Sequence, residues 1–216
     1  MHKVVEGGFF VTFEGPEGSG KSTQIDLLGD ALTTQGLDVL RLREPGGTPL
    51  GEDLRALVLA SETPGTMAAE AELLLFGASR AQLMRQRILP HLSGGGVVLC
   101  DRFADSTTAY QGYGRNLDAE FIARLHEFTL GGRWPDLTFL LDLTVEEGFD
   151  RVFLRNGNGE HADRIEAESR AFHECVREGF LDLARRHPER FRVLNAMRPA
   201  ETIRKQILEM MTDAIG

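Results

Sequence analysis

Apolar residues along the chain fall into two kinds of run that alternate from end to end. Phe9-Phe10-Val11-Thr12-Phe13, residues 37–42, Val97-Val98-Leu99-Cys100, residues 137–143 and residues 191–194 are short and nearly continuous in hydrophobic character. Such runs suit strands buried on both faces. Between them, apolar residues return every three or four positions. Residues 21–35 carry Ile25, Leu27, Leu28, Ala31 and Leu32 on one helical face. The same spacing predicts helices near 50–60, 68–92, 106–111, 118–130, 144–155, 163–186 and 199–215. Thr144 with Glu147, and Asp163 with Glu166, have the spacing of reciprocal N-terminal caps. Pro199 suits a first helical turn. Gly94-Gly95-Gly96 marks a turn, and Asn156-Gly157-Asn158-Gly159 a flexible break.

Strands separated by helices at this spacing imply an α/β fold. It has three layers: a five-stranded parallel sheet with helices on both faces. Ligands in such folds sit beyond the carboxyl ends of the strands. With 216 residues and no internal repeat, the expectation is one domain spanning 1–216.

Composition narrows the function classes. A formal charge of -9 argues against coating nucleic acid or a membrane, which takes a basic footprint. A small phosphorylated ligand needs only local positive charge. Two cysteines, Cys100 and Cys175, make no disulfide framework, and the first residues carry no apolar signal core. A cytoplasmic protein is expected.

The first strand runs into Gly15-Pro16-Glu17-Gly18-Ser19-Gly20-Lys21-Ser22, followed by Thr23. This fits the phosphate-binding pattern G-x-x-x-x-G-K-[ST] in its required place between strand and helix, where composition alone gives about 0.003 chance matches. Glycines let successive backbone N–H groups converge on phosphate oxygens, and the helix N-terminus adds partial positive charge. Lys21 can reach the β- and γ-phosphates, and the Ser22 hydroxyl can ligate Mg²⁺. The fold class is thus a P-loop NTPase. No N-K-x-D base-reading pattern of GTP switches is present, so a small-molecule kinase leads.

Other strand ends add chemistry. The second leads to Arg43-Glu44-Pro45-Gly46-Gly47-Thr48, by itself a polar turn with a solvated arginine, or a turn that presents a guanidinium to an acceptor phosphate. The third ends in Asp101-Arg102. The aspartate stands where P-loop enzymes place a carboxylate for Mg²⁺, and the arginine can grip a phosphate bidentately; the alternative is a local salt bridge between the two. Phe76 and Arg80 share a helical face. They either stack on a base and bond its carbonyl edge, or sit as core ring and snorkelling cation.

Together these segments resemble the thymidylate kinases, in particular the bacterial form. The resemblance rests on Phe13 to Thr23, Arg43 to Thr48, Leu75-Phe76-Gly77-Ala78-Ser79-Arg80, Asp101 to Thr107, Ala109-Tyr110-Gln111-Gly112, Pro135 to Thr138 and Asp163-Arg164-Ile165-Glu166. It implies transfer of the ATP γ-phosphoryl group to dTMP, giving dTDP and ADP on the way to dTTP. It implies Mg²⁺ as cofactor, ATP and dTMP as partners, and a homodimer. Phe76 would stack on thymine, Arg80 would bond O4, and Thr107 would sit near N3. Gln111 joins this dTMP set, and Tyr110 would crowd the place of a ribose 2′-hydroxyl. Glu17 would meet the 3′-hydroxyl and the water shell of Mg²⁺. Arg102, with Arg43 and Arg55, would hold the acceptor phosphate. Ser22 and Asp101 would serve the metal. The Glu44-Pro45 bond would be cis. A short mobile lid at about 154–163 would supply arginines, with Arg151, Arg155 and Arg164 flanking the break. Phe153 stands where the bacterial lid has a further arginine. Two rivals stay open: a kinase for another nucleotide or nucleoside, and an ATP-binding switch without transfer.

Overall fold

The computed structural model describes residues 2–59, 67–156 and 163–215, without the side chains of Arg155 and Asn156. Five strands form one parallel sheet: β1 (Phe9–Glu14), β2 (Val39–Arg43), β3 (Val97–Asp101), β4 (Leu137–Asp142) and β5 (Phe191–Asn195). Their order is β2-β3-β1-β4-β5. The α-helices among the described residues are α1 (Lys21–Thr34), α2 (Pro49–Leu59), α3 (Ala69–Leu83), α4 (Leu89–Ser93), α5 (Ala104–Thr107), α6 (Ala119–Leu130), α7 (Val145–Asn156), α8 (Arg170–Arg186) and α9 (Ala200–Ile215).

Alternation along each strand sorts the core into two layers. Val11 and Phe13 of β1, Val97 and Leu99 of β3, and Phe139 and Leu141 of β4 pack against Ile25, Leu28 and Leu32 of α1 and Ile203, Ile207 and Met211 of α9. The intervening residues turn the other way. Phe10, Val98 and Cys100 meet Leu83, Met84, Ile88 and Leu92, and Leu140 meets Val176 and Phe180 of α8. Each such side chain, removed from water, contributes about 1.5–3 kcal/mol before entropy is charged against it. Both sheet faces are therefore covered, as the continuous apolar runs required.

The helix expected over 68–92 is present but passes through a π-helical segment, Met84–Ile88, between α3 and α4. Pro90 lies just beyond it and cannot donate the backbone hydrogen bond a regular turn needs, which accounts for the shift. A second π-helical segment, Thr108–Gly114, continues α5 and carries Tyr110 and Gln111.

One expected boundary is wrong. The helix read from Asp163 starts at Arg170. Asp163 and Glu166 do cap each other: the Asp163 carboxylate accepts from the N–H groups of Ile165 and Glu166, and Asp163 N–H donates to Glu166. That turn then stops, because Arg164 is drawn inward, where its Nε donates to the Val58 carbonyl (3.0 Å) and its Nη2 pairs with buried Glu72 (2.6 Å). Extended Ser169 caps the helix proper, accepting from Phe172 N–H at 3.2 Å. The lid expected at 154–163 runs across residues 157–162, which lie outside the described residues.

Pairing in register places the chemistry. Phe13 lies beside Asp101 and Glu14 beside Leu140. The loops after β1 and β3 thus emerge together at the carboxyl edge, at the point where the strand order reverses.

Candidate active site

The loop from Gly15 to Gly20 closes on itself around Lys21. Gly15 has φ 134 and Gly18 φ 73. A Cβ at Gly15 would collide with the Leu141 carbonyl, and one at Gly18 would stand 2.7 Å from the Gly148 carbonyl oxygen. Only glycine fits either position. The buried Lys21 ammonium donates to the carbonyls of Gly15 (3.1 Å) and Pro16 (2.8 Å) and to Ser19 Oγ (3.3 Å). Burial, and then the Arg102 charge, lower its pKa from the ordinary lysine value. Such an ammonium gains from an arriving polyanion. Arg151 lies across the same loop, donating to the carbonyls of Gly18 (3.3 Å) and Ala196 (3.0 Å).

Ser22 Oγ donates to Asp101 Oδ2 at 2.7 Å, so a hydroxyl and a carboxylate converge beside the loop. Two hard oxygens are what Mg²⁺ takes from a protein when phosphate and water complete its octahedron. Among the described residues no group of three His, Cys, Asp or Glu side chains forms a protein-only cage. The donor set fits an ion carried in with the nucleotide.

Arg102 holds the centre. Its backbone is left-handed, at φ 64, a conformation rare for residues other than glycine and often found at functional sites. Its guanidinium donates to the Gly15 carbonyl (2.9 Å) and Ser106 Oγ (3.3 Å) and pairs with Glu17. It also stacks on the Tyr110 ring, 5.2 Å from the centroid.

Two clefts meet here. One, of about 550 Å³, takes in Phe76, Arg80, Thr107, Tyr110 and Gln111; the other, of about 1200 Å³, takes in Gly18, Gly20, Lys21, Ser22, Thr23, Asp101 and Arg151. Glu17, Glu44, Arg55, Arg102 and Asp163 line both. Most of the residues expected from sequence thus line one continuous depression. Gly15, Pro16 and Ser19 form the wall of its loop. Arg43 lines the phosphate-loop cleft, where it pairs with Glu52 at 2.7 Å. Arg55 donates to the Pro45 carbonyl at 3.0 Å, across the cis Glu44-Pro45 bond. The backbone of Arg155 belongs to α7, but its side chain lies outside the described residues.

Arg80 is fully buried, which removes the snorkelling alternative. Its Nη2 donates to Glu44 Oε2 (2.7 Å) and Thr107 Oγ1 (2.5 Å), and its Nη1 lies 3.3 Å from His126 Nδ1. Arginine only donates, so Nδ1 must be the accepting nitrogen. Nε2 therefore carries the proton and donates to Thr108 Oγ1 at 3.0 Å. Burial, then Arg80 and Arg190, push the His126 pKa down to about 2. An unfolded histidine takes up its proton near pH 6.5, so the stability this neutral ring represents is present above that value and drains away as pH falls. Between pH 7 and pH 5, the chain should lose about 2 kcal/mol more stability than a His126→Gln variant. Urea midpoints at the two pH values measure the difference; equal losses would contradict the neutral ring.

Several buried acidic or imidazole groups escaped the sequence reading as individuals, among them Glu14, Glu44, Glu72 and His126. Glu44 Oε1 and Tyr110 Oη are buried with no hydrogen bond from the protein among the described residues, and both residues border the smaller cleft. Glu72 accepts from Gln111 Nε2 at 2.7 Å, so the amide oxygen of Gln111 is left for the cleft. The available signal was a carboxylate inside an otherwise apolar run, as in Phe9-Phe10-Val11-Thr12-Phe13-Glu14 and Glu72-Leu73-Leu74-Leu75.

What the geometry offers is a main-chain nest for one phosphate chain, a slot flanked by a ring and a fixed guanidinium for a planar polar group, and arginine between them. Comparison with known proteins gives this a family. A thymidylate kinase family model matches residues 13–207. The thymidylate kinase of Pseudomonas putida (strain W619) is 51% identical over 198 residues, covering 92% of this chain and 93% of the relative. That of Desulfovibrio desulfuricans is 51% identical, covering 90% of each. The crystal structure of thymidylate kinase from Ehrlichia chaffeensis superposes with a TM-score of 0.77 at 32% identity, covering 94% of this chain and 98% of the other. A match of this extent and identity, on a chain with this loop and these paired clefts, makes the protein a member of the thymidylate kinase family.

Proposed function

We propose that the chain transfers the γ-phosphoryl group of ATP to the 5′-phosphate of dTMP, releasing dTDP and ADP. The observation that carries this is the junction: Arg102, held on the Gly15 carbonyl, borders the nucleotide slot and the phosphate loop at once. ATP lies with its phosphates in the loop of Gly15 to Thr23. Ser22 and Asp101 would hold Mg²⁺, which would offset charge on the phosphate chain. The second pKa of a phosphate ester is about 6, so the dTMP phosphate arrives mostly ionised and needs no strong base. The difficulty is repulsion between two polyanions, and Lys21, Arg102, Arg43, Arg55 and Arg151 counter it.

Thymine stacks on Phe76 and takes a hydrogen bond at O4 from Arg80. Thr107 and Gln111 complete its edge. Tyr110, with its unpartnered hydroxyl, stands at the sugar and disfavours a 2′-hydroxyl, while Glu17 meets the 3′-hydroxyl. The whole chain works as one kinase domain. Leu74 of α3 and Phe121 and Phe128 of α6 are exposed, Phe128 by 81%. These two helices form the contact of a homodimer, and light scattering should give twice the chain mass; the mass of one chain would contradict it. Among the described residues no helix is long and apolar enough to cross a membrane. We place the enzyme in the cytoplasm.

The test is ADP release from Mg-ATP with dTMP, dUMP, dCMP, AMP, thymidine and ribo-TMP as acceptors. The proposal expects dTMP to lead and ribo-TMP and thymidine to fail. A different leading acceptor would overturn the substrate assignment, and rapid use of ribo-TMP the role of Tyr110.

A further inference from the structure

We propose that Glu14 is a positioning residue for Arg102, setting where that guanidinium stands in the acceptor site. Glu14 is fully buried and lines neither cleft. Both its carboxylate oxygens are spent on the segment that carries Arg102. Oε1 accepts from the Phe103 N–H at 2.8 Å, and Oε2 accepts from Ser106 Oγ at 2.6 Å. Ser106 also links Glu14 to the guanidinium itself. Ser106 Oγ accepts from Arg102 Nη1 at 3.3 Å and gives its proton to Glu14, so the serine bridges the two side chains.

The backbone tells the same story. Arg102 sits at φ 64, and such a residue stays there only when its surroundings hold it. Its own N–H donates to the Phe13 carbonyl at 3.0 Å, while the next N–H, that of Phe103, goes to Glu14. The last two residues of β1 therefore clamp both amides of the strained turn, and Glu14 also anchors the side-chain end through Ser106. Burial, with the Asp105 charge second, lifts the Glu14 carboxyl to about 7. Burial opposes the charge, and what ties this carboxyl to the Arg102 segment is its pair of hydrogen bonds. The inference rests on the reading that Arg102 grips the acceptor phosphate.

Glu14→Ala, Glu14→Gln and Ser106→Ala, each checked for folding by circular dichroism, test it through the Michaelis constants of the two substrates. Loosening Arg102 should raise KM for dTMP by about 10-fold and lower kcat in Glu14→Ala, with KM for ATP within about twofold, since small misplacements act steeply. Glu14→Gln should recover most of the loss, because the amide still accepts from Phe103 and can donate to Ser106. Equal shifts for both substrates in Glu14→Ala, no shift, or a Gln variant as poor as the Ala variant would overturn the proposal. Should Glu14→Ala not fold, Ser106→Ala decides: a rise in KM for dTMP alone supports the clamp, and an unchanged KM refutes it. Wild-type turnover of dTMP in the same assay tests the functional reading separately.

Discussion

Lys21→Ala should lower kcat by about 10³-fold or more, equivalent to roughly 4 kcal/mol of transition-state stabilisation, while dTMP still binds. The lysine is the first residue of α1 and is buried under the loop it follows. Its three donors now rest on two carbonyls and a serine of that same loop. A γ-phosphate competing for those donors offers full charge where the carbonyls offer dipoles, and the buried setting magnifies the difference. Alanine removes that charge and also frees the Gly15 and Pro16 carbonyls, which would then face an incoming anion. The slot bordered by Phe76 and Arg80 does not include Lys21, so calorimetry should find dTMP affinity within about threefold of the parent chain. A kcat within tenfold of the parent would mean the loop does not hold the donor phosphates.

Arg80→Leu should act on both the fold and the substrate. Glu44 is buried and depends on Arg80 for its two charged hydrogen bonds, at 2.9 and 2.7 Å. Burial raises the Glu44 pKa and Arg80 opposes that rise. Removing one member of such a pair costs about 3–5 kcal/mol, which in a chain of this size lowers Tm by about 10 °C. Loss of the O4 donor should in addition cut kcat/KM for dTMP by about 10²-fold. Adding Glu44→Gln to Arg80→Leu separates the two effects. The double variant should regain part of the lost stability, because no uncompensated carboxylate remains, and none of the dTMP turnover. A single variant with unchanged Tm would show that Glu44 does not need its partner; full recovery of turnover in the double variant would show that Arg80 does not read the base.

The phosphate loop could be read directly because its parts are contiguous: a strand, glycines at the two tight approaches, a lysine and a serine. The strands were legible for a similar reason, since burial on both faces leaves an unbroken apolar run. Which of the site's residues contact one another could not be read that way. Ser22 and Asp101 are 79 positions apart, Glu14 and Phe103 are 89, and Arg80 and Glu44 are 36. The first two pairs meet only because β3 lies beside β1 despite the helices between them, and Arg80 meets Glu44 because α3 packs over the turn after β2. The misplaced start of α8 has the same origin. Local capping at Asp163 and Glu166 does form, but the tertiary demand of buried Glu72 for a cation pulls Arg164 inward and ends the turn. A buried carboxylate in search of charge outweighed a local helix signal.

Direct passage of one phosphoryl group between two nucleotides held end to end is the expected reaction. It is tested by a single turnover with ATP labelled in its γ-phosphate and excess dTMP. The label should appear in the terminal phosphate of dTDP at the rate ATP is consumed, and ATP should persist when dTMP is withheld. Label found in inorganic phosphate, with or without dTMP, would contradict the account.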